Sequence, residues 1–343
     1  MNGVFSYIDN ILCESGRPVI DFAKEIPVHL YSKRFIERQF NVLNSGIESK
    51  NKIICYALKA NFNSQVVKAI IEMGGGIDCV SQGEIKHAIA LGCDPNKIVF
   101  SGVGKTDEEI EFAILSRIRQ ISAESEEEVD EIIAICQKLK VEISICLRVN
   151  LDIDVNTHKY ISTGSRFSKF GIDCKKIFDI CSRIKTAKFA KFFGLSIHIG
   201  SQILDYTNFE NAFGDFEKLI QIIKSNFGIK SVSVGGGLGV AYRPEDVELA
   251  DGTAKKYIGL INNFHDKIGD DINLIIEPGR FLVANSCVTL AKVVRIKKTD
   301  DKNLLILNVG MNNIIRPALY QAYHHIMPVI KNEGFKKKLI TIL

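Results

Sequence analysis

Short apolar runs alternate along the chain with longer segments in which apolar positions recur every three or four residues. Eight such runs are Ile53–Leu58, Gly76–Val80, Lys97–Ser101, Arg119–Ala123, Glu142–Val149, Phe192–Ile199, Ser231–Val234 and Asn273–Glu277. Most are dense in Ile, Val and Phe without polar alternation, the pattern of strands buried on both faces. Between them lie amphipathic helices. Glu126–Lys140 places Val129, Ile132, Ile133, Cys136 and Leu139 on one face, with acids early and lysines late, as the helix dipole favours. Phe216–Asn226 is similar and runs into Gly228, a C-cap.

Eight consecutive β/α units over about 230 residues match a (β/α)8 TIM barrel. A doubly wound open sheet is the alternative on pattern alone, and the similar length of the units favours the barrel. After Arg280 the texture changes. Val288–Lys297 and Asn303–Val309 read as strands with no long helix between them, and the chain ends in the apolar run Leu339–Leu343. The expected organisation is an α/β barrel over 27–280, with 1–26 and 281–343 forming a partial β domain whose few strands leave edges unpaired.

Composition narrows the function. The 343 residues are 46% hydrophobic and 24% charged, as in a water-soluble globular protein. A net charge of +4 is too small for nucleic acid to be the expected partner. The N-terminus lacks the pattern of a signal peptide, and no run of about 18 apolar residues predicts a membrane span. Nine scattered cysteines, none spaced C-x-x-C, fit free thiols in a reducing cytoplasm. No paired histidine motif predicts a protein-held metal.

Barrels gather their chemistry at the C-terminal ends of the strands, and the polar residues collect there. The ends read Lys59-Ala60-Asn61, Asp78-Cys79-Val80-Ser81, Arg148-Val149-Asn150, His198-Ile199-Gly200-Ser201, Gly235-Gly236-Gly237 and Glu277-Pro278-Gly279-Arg280. Lys59, at the mouth of a buried strand, is expected to be partly desolvated and so a candidate nucleophilic amine. Taken alone it reads more readily as a surface lysine. Three glycines let backbone N–H groups converge on an anion. With Glu277–Arg280 on the next strand they form an expected phosphate site. His198 reads either as a core histidine or as a ring lying against an aromatic cofactor. Glu277 reads either as a helix cap or as a carboxylate facing a pyridine nitrogen. Ser101–Thr106 (SGVGKT) looks like the end of a P-loop, but Val99 stands where the first glycine is required. Lys336–Lys338 reads as a solvated run.

As a set these motifs resemble the fold-type III pyridoxal-phosphate (PLP) decarboxylases, and among them the diaminopimelate decarboxylase family. The resemblance runs from VHLYS at Val28 through YALKAN, GGGIDCVSQGEI, RVNLDIDVNTHKYISTG, SKFGI, HIGSQI, VGGGLG and EPGRFLVAN to GMNNIIRPALYQAYH. The RPALY-x-AYH form is what points to diaminopimelate. The resemblance implies the alanine-racemase type of barrel, PLP as cofactor and Lys59 as its Schiff-base lysine. It further implies that His198 stacks on the ring, that Asp78 and Arg148 are cofactor-binding residues, and that Glu277 pairs with the pyridine nitrogen. Ser201, Gly235, Gly236, Gly237 and the backbone of Glu277, Pro278, Gly279 and Arg280 would hold the phosphate, and Arg280, Arg316 and Tyr320 the substrate.

The implied reaction converts meso-2,6-diaminopimelate to L-lysine and CO2, in lysine biosynthesis, in a cytoplasmic homodimer. Other readings are a PLP-binding remnant without catalysis and another basic amino-acid decarboxylase of the same fold. A racemase of this fold would place arginine opposite the pyridine nitrogen, and Glu277 speaks against it. Family members continue through further strands carrying a Cys-Glu-Ser segment and a tyrosine that complete the active site. The chain is therefore expected to be C-terminally truncated, as a fragment, a split gene or a decayed copy. The triplet Cys13-Glu14-Ser15 is a coincidental match, and Cys287 and Asn308 stand where the family usually has glycine and aspartate.

Overall fold

A computed structural model describes residues 4–151, 169–300, 303–331 and 340–341. The chain divides into two compact units, one of Met1–Phe35, Ala241–Glu248 and Ala284–Leu343, the other of Ile36–Val240 and Leu249–Val283.

The larger unit is a closed parallel barrel. Its strands, in order, are Lys52–Ala57, Gly76–Cys79, Ile98–Phe100, Gln120–Ala123, Ile143–Asn150, Ala190–Ser196, Ser231–Ser233 and Asn273–Ile276. Each pairs in parallel with the next, and the eighth returns to the first through Leu274↔Lys52, Ile275↔Ile53 and Ile276↔Ile54. A two-residue strand, Ile172–Asp173, adds to the fifth. Cys55, Val99 and Ile275, from the first, third and eighth strands, pack together with Ile53. Burial on both faces is why these strands read as apolar runs without alternation.

Helix Glu126–Leu139 begins at Ser125, whose hydroxyl accepts from Glu128 N at 3.1 Å, and ends on Lys140 in the left-handed region at φ 57°. The expected Phe216–Asn226 helix is longer, Thr207–Phe227, and does end at Gly228 with φ +73°. The helical spacing already begins at Phe209, Ala212, Phe213 and Phe216, all buried, and Asp205 Oδ1 accepts from Thr207 N at 3.0 Å just ahead of it. Phe209, Phe213 and Phe216 of this helix pack on Tyr257 and Phe264 of the next, Val247–Ile268, with ring centroids 4.6–6.2 Å apart. That layer fixes Tyr257 against the barrel.

The smaller unit is β-rich. An antiparallel sheet of Phe5–Ile8, Ile11–Glu14 and Arg17–Pro18 stands beside the pair Val28–Tyr31 and Cys287–Leu290. Phe5, Leu12, Val19 and Leu290 form its core. The run expected to be one strand from Val288 is two, Cys287–Leu290 and Val293–Lys298, because they pair with different partners. Val293–Lys298 pairs with Asn303–Leu307, which in turn pairs with Ile340–Thr341, and is exposed along its whole length. Asn308 uses both ends of its amide, donating to Ile26 O at 3.0 Å and accepting from Lys292 N at 2.7 Å. An aspartate could serve only the second contact. In the N-terminal triplet, Cys13 is buried and Glu14 accepts from Ser15 and Ser32 at 2.7 Å, contacts that brace this unit. Lys336–Lys338 and most of the RVNLDIDVNTHKYISTG stretch lie outside the described residues.

Candidate active site

The strand ends deliver the polar side chains one by one. The first strand turns into a short 3-10 helix, Leu58–Ala60, that carries Lys59. Ala57 N donates to Pro278 O at 3.1 Å and Tyr56 OH to Asn61 O at 3.0 Å, so the turn is tied at both sides. Asp78 pairs with Ala57 across the first two strands and is buried. His198 lies two residues beyond the end of the sixth strand, not within it, and Glu277 follows the eighth directly.

Together these ends enclose a cavity of about 200 Å³ lined wholly by residues of the barrel unit. Among the expected residues, Lys59, Asp78, Arg148, His198, Ser201, Gly236, Gly237, Glu277, Pro278, Gly279 and Arg280 all line it. Gly235 stands behind the wall, its amide donating to Ser233 Oγ at 3.1 Å. Arg316 and Tyr320 belong to the other unit, on the short helix Arg316–Tyr320, with the Arg316 guanidinium 4.6 Å over the Tyr242 ring. Lys59 is exposed where partial desolvation was expected, because its turn projects past the end of the buried strand.

Glycine is obligatory in the triplet. A Cβ on Gly236 would stand 2.2 Å from Glu277 O, and Gly237, at φ +104°, would bring one within 2.6 Å of Gly200 O. Glu277 N donates to Gly235 O at 2.7 Å, which locks the seventh and eighth strand ends together. Gly236 N donates to His198 Nδ1 at 3.2 Å. The ring therefore accepts at Nδ1 and, when neutral, carries its proton on Nε2. Burial holds His198 well below its ordinary value, helped by the Arg148 and Lys59 cations, so the imidazole is neutral.

The two acids behave oppositely to exposed carboxylates. Burial raises Asp78, against the pull of Lys59, Ser101 and Arg148. Burial and the Asp78 charge raise Glu277 to about 8, opposed by the Ser233 hydroxyl, Arg148 and Lys59. Ser233 Oγ donates to Glu277 Oε1 at 2.7 Å and sets the carboxyl plane. Arg280 Nε donates to Ser201 Oγ at 3.3 Å.

Among the lining residues with polar side chains, sequence reasoning missed Ser101, Ser122, Ser196 and Tyr257, and it missed Ser233 behind Glu277. The signal for the strand serines was present, since a hydroxyl inside an apolar barrel strand needs a polar neighbour. Tyr257 gave none, as one aromatic among many on a helix. His265, Asp266 and Asp270 also draw together. There His265 Nε2 is engaged by Ser49 Oγ at 3.1 Å and Ile272 O at 3.3 Å, which makes it a structural histidine.

A pyridine aldehyde bearing a phosphate needs a primary amine, a flat partner for its ring, an acid at its nitrogen and a small-residue cradle at its phosphate. The cavity offers Lys59, the neutral His198 ring, the Glu277 carboxyl and the glycine triplet beside Gly279. Asp78 Oδ1, Ser122 Oγ, Ser196 Oγ and Tyr257 OH are buried in its lining without a protein hydrogen-bond partner. Polar atoms buried without partners are costly unless a ligand or water meets them. The residues present fit the group.

Comparison with known proteins agrees. Residues 33–284 match the family described as pyridoxal-dependent decarboxylase, pyridoxal binding domain. The chain is 37% identical to diaminopimelate decarboxylase of Aquifex aeolicus, over 99% of this chain and 80% of that protein. It is 37% identical to the Vibrio cholerae enzyme of the same name, over 92% and 76%. The structure of Helicobacter pylori diaminopimelate decarboxylase complexed with L-lysine superposes with a TM-score of 0.83 at 35% identity, covering 89% of this chain and 76% of that one. That of the M. jannaschii enzyme with L-lysine gives 0.89 at 30% identity, covering 99% and 81%. On a closed barrel whose strand ends assemble this cavity, and on a family match over most of its length, the chain belongs to the pyridoxal-dependent decarboxylases.

Proposed function

We propose that this chain decarboxylates meso-2,6-diaminopimelate to L-lysine and CO2, with PLP bound through Lys59. The observation that carries the reading is the convergence of Lys59, His198 and Glu277 on one cavity beside a glycine triplet. Substrate choice is supported by the names of the relatives and by the RPALY-x-AYH segment, whose Arg316 and Tyr320 suit a substrate with two carboxylates, together with Arg280. The chain is read as a barrel domain over 27–280 with flanking β segments 1–26 and 281–343. It is further read as a cytoplasmic homodimer in lysine biosynthesis. All nine thiols are unpaired, as a reducing compartment favours, and among the described residues no helix is long and apolar enough to cross a membrane.

Bound PLP supplies an electron sink for the carbanion left when CO2 departs. Lys59 would hold the cofactor through its amine. His198, neutral and fixed by Gly236 N, presents a flat face that adds no positive charge. Glu277, held by Ser233, would be the acid at the pyridine nitrogen. Gly236, Gly237 and Gly279 keep space for the phosphate, with Ser201 and Arg280 as its polar neighbours. Asp78 and Arg148 set the charge around Lys59.

The test is borohydride reduction of the PLP-loaded protein, peptide mapping, and CO2 release from meso-diaminopimelate. Label on Lys59 with CO2 release is expected. Label on Lys59 without release would leave a PLP-binding protein and overturn the decarboxylase reading. Label elsewhere would overturn the site.

A further inference from the structure

Behind one wall of the cavity lies a set of charges of which the chemistry above uses only Arg148. Its root is Lys105, in the SGVGKT stretch whose likeness to a P-loop leads nowhere. The Lys105 side chain is 0% exposed. Its ammonium donates to Gly102 O at 2.5 Å, Ser122 O at 2.8 Å and Glu128 Oε1 at 2.5 Å, which engages all three donors. The other Glu128 oxygen accepts from Glu124 N at 2.7 Å. Glu124, also buried, is saturated in turn. Its Oε1 takes Gly102 N at 3.0 Å and Arg148 Nη1 at 2.8 Å, and its Oε2 takes Gly171 N at 3.2 Å and the same Nη1 at 3.0 Å. The Arg148 guanidinium lies 4.8 Å over the Phe170 ring. Of these four charged residues only Arg148 lines the cavity.

Two buried ion pairs thus stand in series, Lys105–Glu128 behind Glu124–Arg148, joined through the Glu124 backbone. Buried pairs are a poor source of stability beside apolar packing of equal volume, since desolvating the ions offsets most of their attraction. What they supply is a defined place for a charge. Arg148 acts on His198, Asp78 and Glu277, whose protonation the cavity depends on. A guanidinium that swung away would change all three.

We propose that Glu124 is a positioning residue for Arg148, and that Lys105 and Glu128 form the brace that holds Glu124, so that the guanidinium keeps one place on the cofactor cavity's wall. The proposal rests on the PLP reading of that cavity. The experiment is a double-mutant cycle on the full chain, stripped of PLP and titrated with it. E124Q, which keeps side-chain size, weakens PLP binding about tenfold in the wild-type background and less than twofold beside R148M, the non-additivity expected of one network. K105M, remote from the cavity, follows the same pattern at about threefold. The pH midpoint of the bound cofactor's absorption band shifts in E124Q and stays put when R148M is already present. Equal factors in the two backgrounds would mean a merely structural role and would overturn the proposal. Should K105M fail to fold, E124Q alone decides the cycle.

A cofactor-free readout separates this proposal from the cavity reading. The Arg148 Nη1 protons, which bond Glu124, lose their protection from exchange in stripped K105M protein followed by NMR. Unchanged protection overturns the brace even if PLP binds. Lost protection in a protein that never takes PLP at Lys59 retains the brace and discards the cofactor.

Discussion

Replacing Glu277 by glutamine isolates the cost of holding an acid in the cavity of the PLP-free protein. Burial and the neighbouring Asp78 raise its carboxyl from the ordinary 4.5 to about 8. At about 1.4 kcal/mol per pH unit the rise sets a ceiling of about 5 kcal/mol. The cavity opens to water, and effective dielectric screening brings the expected effect to about 2 kcal/mol. The sign follows from proton linkage. A group whose folded value is raised favours folding fully below its unfolded value, and the advantage is lost as pH climbs through the folded one. The wild type therefore loses stability relative to E277Q between about pH 4.5 and 8. The assay is urea denaturation of PLP-free wild type and E277Q at pH 5 and pH 8.5. The stability difference should move by about 2 kcal/mol in favour of E277Q at the higher pH. A difference that stays constant, or moves the other way, would refute the assignment of a protonated acid at this position.

Three further expectations bear on the site and its frame. S233A removes the hydroxyl that donates to the Glu277 carboxylate, so the pH midpoint of the same difference experiment should rise; a fall would show that Ser233 does not stabilise the ionised form. G236A places a Cβ 2.2 Å from Glu277 O and should lower stability by about 3 kcal/mol in thermal or urea unfolding, with loss of PLP binding. Full stability and full cofactor affinity in that variant would contradict the close approach of the strand ends. With a thiol reagent, Cys174 should react at once and Cys287 slowly, while the seven buried cysteines wait for denaturant. Rapid modification of more than two thiols would count against the described core.

Much of the barrel was legible because a parallel strand buried on both faces has a sequence texture of its own. Gly76–Cys79 and Ile98–Phe100 are buried throughout, and they read that way. The site was legible for a related reason, since polar residues following apolar runs stand where strands end. What stayed hidden depends on contacts between distant segments. No pattern near Ser233 says that its hydroxyl meets Glu277, and the Lys105–Glu128–Glu124–Arg148 series joins four places in the chain through three-dimensional neighbours. The division of the Val288 run into two strands likewise follows from partners, Val28–Tyr31 for one and Asn303–Leu307 for the other. Lys59 was misjudged in its exposure because the turn after the strand, not the strand itself, decides how far the amine stands from the core.

The barrel closes where its earliest strand meets its latest, and Lys59 and Glu277 stand on opposite sides of that seam. A ligand gripped by both works as a clasp, because the staves cannot part there until it is released. Its affinity for the closed form then adds to the work of opening the cylinder. Amide protons of Ile54 and Ile276, at the join, should accordingly report occupancy of the cavity more sharply than those of strands on the far side.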